Sequence, residues 1–177
     1  MIWLWVLVAV LVAVLVGAWL TWTASRLDRM HHRVDVARVS LDTQLVHRSG
    51  TSLELAASGV LDPASALLVH DAAHQARAVA PEELESAESD LSQVLRAVLD
   101  EPDEVDRLRR DPDMAALLDE LAGNCRRVEL ARRFHNDMVA TVRGLRSRRR
   151  VRWLGLAGHA TEPATVEFDD APPPTLL

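Results

Sequence analysis

The first 25 residues carry no charged side chain, and from Ile2 to Trp22 the chain is almost wholly Leu, Val, Ala and Trp. About 21 residues rising ~1.5 Å each make a helix of roughly 31 Å, close to the thickness of a bilayer's hydrocarbon core. Trp3, Trp5, Trp19 and Trp22 stand near its two ends, where indole rings favour the headgroup level. A cleaved signal peptide has a basic leading region and an apolar core of about 7–15 residues. This run lacks the first and exceeds the second, so residues 1–25 are expected to be a retained transmembrane anchor. Ala9, Ala13 and Gly17 recur every fourth residue. Such small-residue spacing lets membrane helices approach closely, although Ala and Gly are common in any apolar span.

Orientation follows from arginine. No basic side chain precedes the run, and Arg26, Arg29 and Arg33 follow it. The positive-inside asymmetry predicts a short N-terminus outside and the bulk of the chain in the cytoplasm, at the cell membrane. All 20 basic residues are Arg, and there is a single Ile. That bias has the look of GC-rich codon usage, so the arginines are not taken as a nucleic-acid signal. With one cysteine, Cys125, no intramolecular disulfide and no cysteine-rich zinc site can form. The length of 177 residues suits one modest domain with appendages rather than a barrel or a two-domain doubly wound enzyme.

Beyond the anchor the apolar residues fall at helical spacing. Leu27, Met30, Val34, Ala37, Leu41 and Leu45 form one stripe, with a weak point at Ser49-Gly50 and a stronger stop at Ser58-Gly59 and Asp62-Pro63. A second helix is expected from Asp62 as N-cap to Ala80-Pro81, and a third from there through Leu84, Leu91, Leu95 and Val98. Residues 100–112 read as a charged connection with one short helical turn. A fourth helix follows from Asp111-Pro112 through Leu118, Cys125, Val128, His135 and Val142 to Leu145. From Thr161 onward, four prolines and four acids predict a disordered acidic tail. No strand pattern occurs outside the span. The fold expected is all-α: a transmembrane helix at 1–25, an antiparallel bundle of about four long helices at 26–152, and an interfacial segment with the disordered tail at 153–177.

Two stretches resemble a known family. Leu41-Asp42-Thr43-Gln44-Leu45-Val46-His47-Arg48 resembles the hydrophobic-Asp-Val-Gln-Leu-Lys-Arg-Arg motif of the LemA proteins. Ala131-Arg132-Arg133-Phe134-His135-Asn136-Asp137-Met138-Val139 is similar to that family's Ala-Arg-Arg-Phe-Tyr-Asn-x-x-Val motif. The order of segments also matches, down to Trp153-Leu154-Gly155-Leu156 and Val166-Glu167-Phe168-Asp169. The chain departs from the family where Asp-Leu-Ile-Pro-Asn-Leu is usual and it has Gly50-Thr51-Ser52-Leu53-Glu54-Leu55; His135 and Val46 replace a Tyr and a Lys. The resemblance implies a membrane-anchored helical bundle with no established enzymatic activity. It makes Asp42, Gln44, Arg132, Arg133, Phe134 and Asn136 structural residues, with Asp42 expected to face Arg132 or Arg133.

Chemistry is sparse. His70 and His74 are spaced i, i+4 on one helix with Asp71 between them, which is near the HExxH zinc pattern. Asp is one methylene shorter than the Glu base and no third ligand stands at a telling distance. Solvated histidines are the favoured reading, and a metal-dependent enzyme using His70 and His74 is the remote alternative. His31 and His32 read as solvated, and Cys125 as a small buried hydrophobe. Residues 82–120 hold 14 carboxylates against four arginines, without the spacing of a calcium loop.

The basic run is more informative. Arg143, Arg146, Arg148, Arg149, Arg150 and Arg152 occupy ten residues without an acid, and Trp153 follows. In an up-and-down bundle the fourth helix returns to the bilayer, so these residues are expected to touch anionic lipid, each contributing about 1 kcal/mol before screening. No cofactor and no nucleic acid are expected. The sequence thus predicts a non-enzymatic interaction or scaffold module on the cytoplasmic face, binding lipid and an unidentified membrane or cytoplasmic protein. Self-association, and service as accessory subunit of a membrane-bound enzyme such as a protease, stay open.

Overall fold

A computed structural model of the chain describes residues 2–146 and 163–176. All regular elements in them are helical: α1 (Ile2–Ala57), α2 (Pro63–Ala78), α3 (Leu84–Val98), α4 (Pro102–Leu108), α5 (Pro112–Arg146) and a final 3-10 turn (Pro174–Leu176). The expected all-α class and bundle are what the chain forms. Among the residues whose side chains are described, no helix is long and apolar enough to cross a membrane. In the apolar run those side chains are continuous only from Trp3 to Trp19, because Ile2 and Leu20 fall outside them.

The helix boundaries have local causes. Asp62 accepts from the backbone N–H of Ala64 (3.0 Å) and Ser65 (3.1 Å), and Pro63 takes the first helical position, where its missing N–H costs nothing. Asp111 does the same for α5, accepting from Asp113 N (2.9 Å) and Met114 N (3.4 Å). Beyond α1, Gly59 adopts φ +75°, a left-handed conformation that costs an L residue about 1–2 kcal/mol. The weak point expected at Ser49-Gly50 does not interrupt α1. Ser49, Thr51 and Ser52 donate their hydroxyls to the carbonyls of Val46, His47 and Arg48 in the preceding turn, and the helix runs on.

The chain forms two compact units, Met1–Ala37 with Asn136–Thr165 and Arg38–His135 with Val166–Leu177; α1 and α5 each contribute to both. In the first, Val34 packs with Val139 and Val142, flanked by Met30 and Met138. In the second, α2 to α5 and the end of α1 enclose a core that includes Leu55, Val69, Leu91, Leu95, Leu118, Leu121 and Cys125. There α1 and α5 are antiparallel: Leu41 and Leu45 lie with Val128 and Ala131, while Thr51, further along α1, receives a 2.7 Å hydrogen bond from Asn124, further back on α5.

The largest departure from expectation is at the C-terminus. Residues 163–176 do not form a disordered tail. Val166, Phe168, Asp170 and Leu176 are buried, and from Val166 onward the segment lies within the second unit as a strap. Composition predicted disorder because prolines and acids dominate. Two buried apolar residues at i, i+2 and two acids with arginine partners are among the contacts that hold it.

Candidate functional site

The polar centre of the second unit is built around Arg48. Leu41, Leu45 and Arg48 follow i, i+4, i+7 on α1, so the guanidinium enters the same interior as the two leucines. Arg48 is 1% exposed, and its Nη2 donates to Glu88 Oε2 (2.5 Å) and to the Glu88 carbonyl (3.2 Å). Its Nη1 donates to Ser92 Oγ (2.9 Å), and its Nε has no partner among the described residues. Glu88 is equally buried. Loss of water raises its carboxyl above the ordinary 4.5, against the pull of the Arg48 charge and hydrogen bond. On one side of this pair a recess of about 350 Å³ is lined by Leu45, Val46, Ala76, Leu84, Arg77 and Glu88, among others.

The strap reaches the same centre. The Phe168 ring lies near two guanidiniums, its centroid 6.0 Å from that of Arg48 and 5.6 Å from that of Arg132. Arg132 holds Asp170 through two bonds, Nε to Oδ2 (2.6 Å) and Nη2 to Oδ1 (3.0 Å), with Glu167 3.6 Å away. Arg96 grips Asp169 in the same forked manner and also donates to the Ala171 carbonyl (2.8 Å). The Arg96 hydrogen bond holds the Asp169 carboxyl below its ordinary 3.8.

The residues singled out from sequence are dispersed. Asp42 pairs with Arg38 one turn back (3.0 Å) rather than with Arg132 or Arg133, which bond to Asp170 and to Glu129. A residue one turn away on the same helix is always within reach, whereas Asp42 lies on the exposed side of α1. Gln44 and Asn136 are half-buried, and Phe134 is 56% exposed. Ala9, Ala13 and Gly17 are exposed. Arg143 donates from Nε to the Pro163 carbonyl (3.0 Å). The side chain of Arg146, and all of Arg148, Arg149, Arg150, Arg152 and Trp153, lie outside the described residues. The His70 and His74 rings stack on the surface with centroids 6.1 Å apart, and no cluster of three or more metal-binding side chains occurs among the described residues. Cys125 is 1% exposed, and burial pushes its thiol up from 9.0.

Arg48 and residues 166–169 entered the sequence reading only as parts of stretches that resemble a family, and Glu88 was not singled out. The i, i+7 step from Leu41 carried a signal for Arg48. Nothing marked Glu88 among the 14 carboxylates of its stretch. No protein-family model, no curated protein and no solved structure matches the chain.

Proposed function

We propose that the chain is a single-pass membrane protein of the LemA type, a non-enzymatic interaction module held at the cytoplasmic face of the cell membrane. The observation that carries the anchor is the combination of an uncharged N-terminal run of 25 residues with the exposure of its side chains in α1. Trp3 is 83% exposed, Leu4, Leu7, Leu11 and Leu15 about as open as one another, and Trp22 58%. So much apolar surface costs roughly 25 cal/mol per Å² in water, and hydrocarbon removes that cost. Trp3–Trp19 alone make about 26 Å at ~1.5 Å per residue. The helix and the uncharged sequence both continue past Leu20, which brings the apolar length to that of a bilayer core.

The likeness to LemA proteins supports the module and rests on residues 41–48 and 131–139. In this reading Arg143 to Arg152 and Trp153 make a second contact with anionic lipid, Ala9, Ala13 and Gly17 pack the anchor against another membrane helix, and a protein partner docks on the bundle. The test uses the full chain in its own membranes. Alkaline carbonate should leave it in the pellet, and a C-terminal tag should resist protease until the cell is opened. Release by carbonate overturns the anchor, and digestion in intact cells overturns the orientation. Mild detergent extraction should then bring down a second protein in stoichiometric amount.

A further inference from the structure

The strap lies on the bundle as a bound peptide lies on its receptor. An extended chain advances ~6.6 Å over two residues, and a helix advances ~6 Å over four. Those periods coincide here: the N–H groups of Glu167 and Asp169 donate to Glu85 Oε1 (3.0 Å) and Ser89 Oγ (3.1 Å), one turn apart on α3. The same direction continues with Ala171 on Arg96 and with Thr175, whose hydroxyl donates to the Leu99 carbonyl (2.5 Å). The strap therefore runs parallel to α3 and is read in register. Its side chains alternate, with Val166, Phe168 and Asp170 buried and Glu167 and Ala171 exposed. Each inward or flanking position meets a matched group. Val166 and Phe168 join Leu41, Leu45 and Val128, Asp169 meets Arg96, and Asp170 meets Arg132.

We infer that this groove of α1, α3 and α5 is a docking site for an extended segment of another protein with the pattern hydrophobic-x-Phe-Asp-Asp, and that the chain's own strap is its intramolecular competitor. The partner's chemistry follows from the receptor side. Two arginines facing neighbouring positions demand consecutive acids. The Arg48 and Arg132 guanidiniums, both within about 6 Å of the Phe168 centroid, favour an aromatic ring there, and the Glu85 and Ser89 acceptors require an extended backbone with free N–H groups. The strap belongs to the same chain as the groove, so it occupies the groove as an intramolecular ligand. A tethered ligand competes at an effective concentration on the order of millimolar, which keeps the groove closed to weak partners. The inference concerns the interaction surface and does not depend on the anchor.

The test measures fluorescence anisotropy of a labelled synthetic peptide, residues 165–177, on the full-length protein in detergent. A chain carrying Phe168→Ala and Asp170→Ala vacates the groove and should bind the peptide at least tenfold more tightly than wild type. A peptide with Phe168→Ala should not bind, and Arg132→Glu in the vacated chain should restore preference for a peptide with Asp170→Arg. Three results overturn the proposal: a vacated chain that keeps its helical circular dichroism and binds no peptide, equal binding by both chains, or a vacated chain that loses its helical signal. The last would make the strap an integral part of the core.

Discussion

Arg48 and Glu88 pose the sharpest energetic question at the scale of single residues. Two fully buried charges lose their hydration and are met by one another, by Ser92 and by a backbone carbonyl. Removing one partner strands the other, at about 3–5 kcal/mol, whereas replacing both with apolar residues of like volume is often neutral. Arg48→Ala and Glu88→Ala should therefore each lower the urea unfolding free energy by that amount, and Arg48→Met with Glu88→Leu should recover most of it. Asp169 gives the pH dependence. Its folded value is depressed below 3.8 by Arg96, so the stability it contributes is complete above that value and disappears as pH falls through the lower folded one. The difference in melting temperature between wild type and Asp169→Asn should be largest near neutral pH and shrink as pH falls below 3.8. Half of this chemistry was legible beforehand. The spacing from Leu41 puts Arg48 on the buried stripe, but its partner is 40 residues away, and pairing at that separation leaves no local trace.

Elements were read better than contacts, because caps and stops are local. Asp62-Pro63 and Asp111-Pro112 open α2 and α5 where the sequence places them, and Gly59 sits in the turn after α1. Asp111→Ala should cost about 1 kcal/mol, checked by thermal unfolding, since two backbone donors lose their acceptor. Ser49-Gly50 misled because hydroxyl residues inside a helix can bond to carbonyls of the preceding turn instead of ending it. The tail misled for a different reason. Val166-x-Phe168-x-Asp170 is an alternation of three positions, too short to register as a strand, and its partners include side chains on α3 and α5. A proline-rich composition describes what a segment cannot do alone and is silent about what a receptor can do for it.

At the scale of the whole molecule, the arginines flanking the apolar run govern the proposed topology. Replacing Arg26, Arg29 and Arg33 with Ser and placing three Arg before Ile2 should invert it, because orientation follows the side richer in Arg. A C-terminal tag would then become protease-sensitive in intact cells. The same molecule is a convenient subject for spectroscopy, and the reason lies deep in its interior. Cys125 is the chain's one cysteine, sealed among Leu118, Leu121 and their neighbours with a thiol reluctant to ionise. Maleimides attack the thiolate, so a dye will pass this residue by and react with a cysteine engineered at an exposed position. Native chemistry has left the chain optically addressable one site at a time, without first deleting anything.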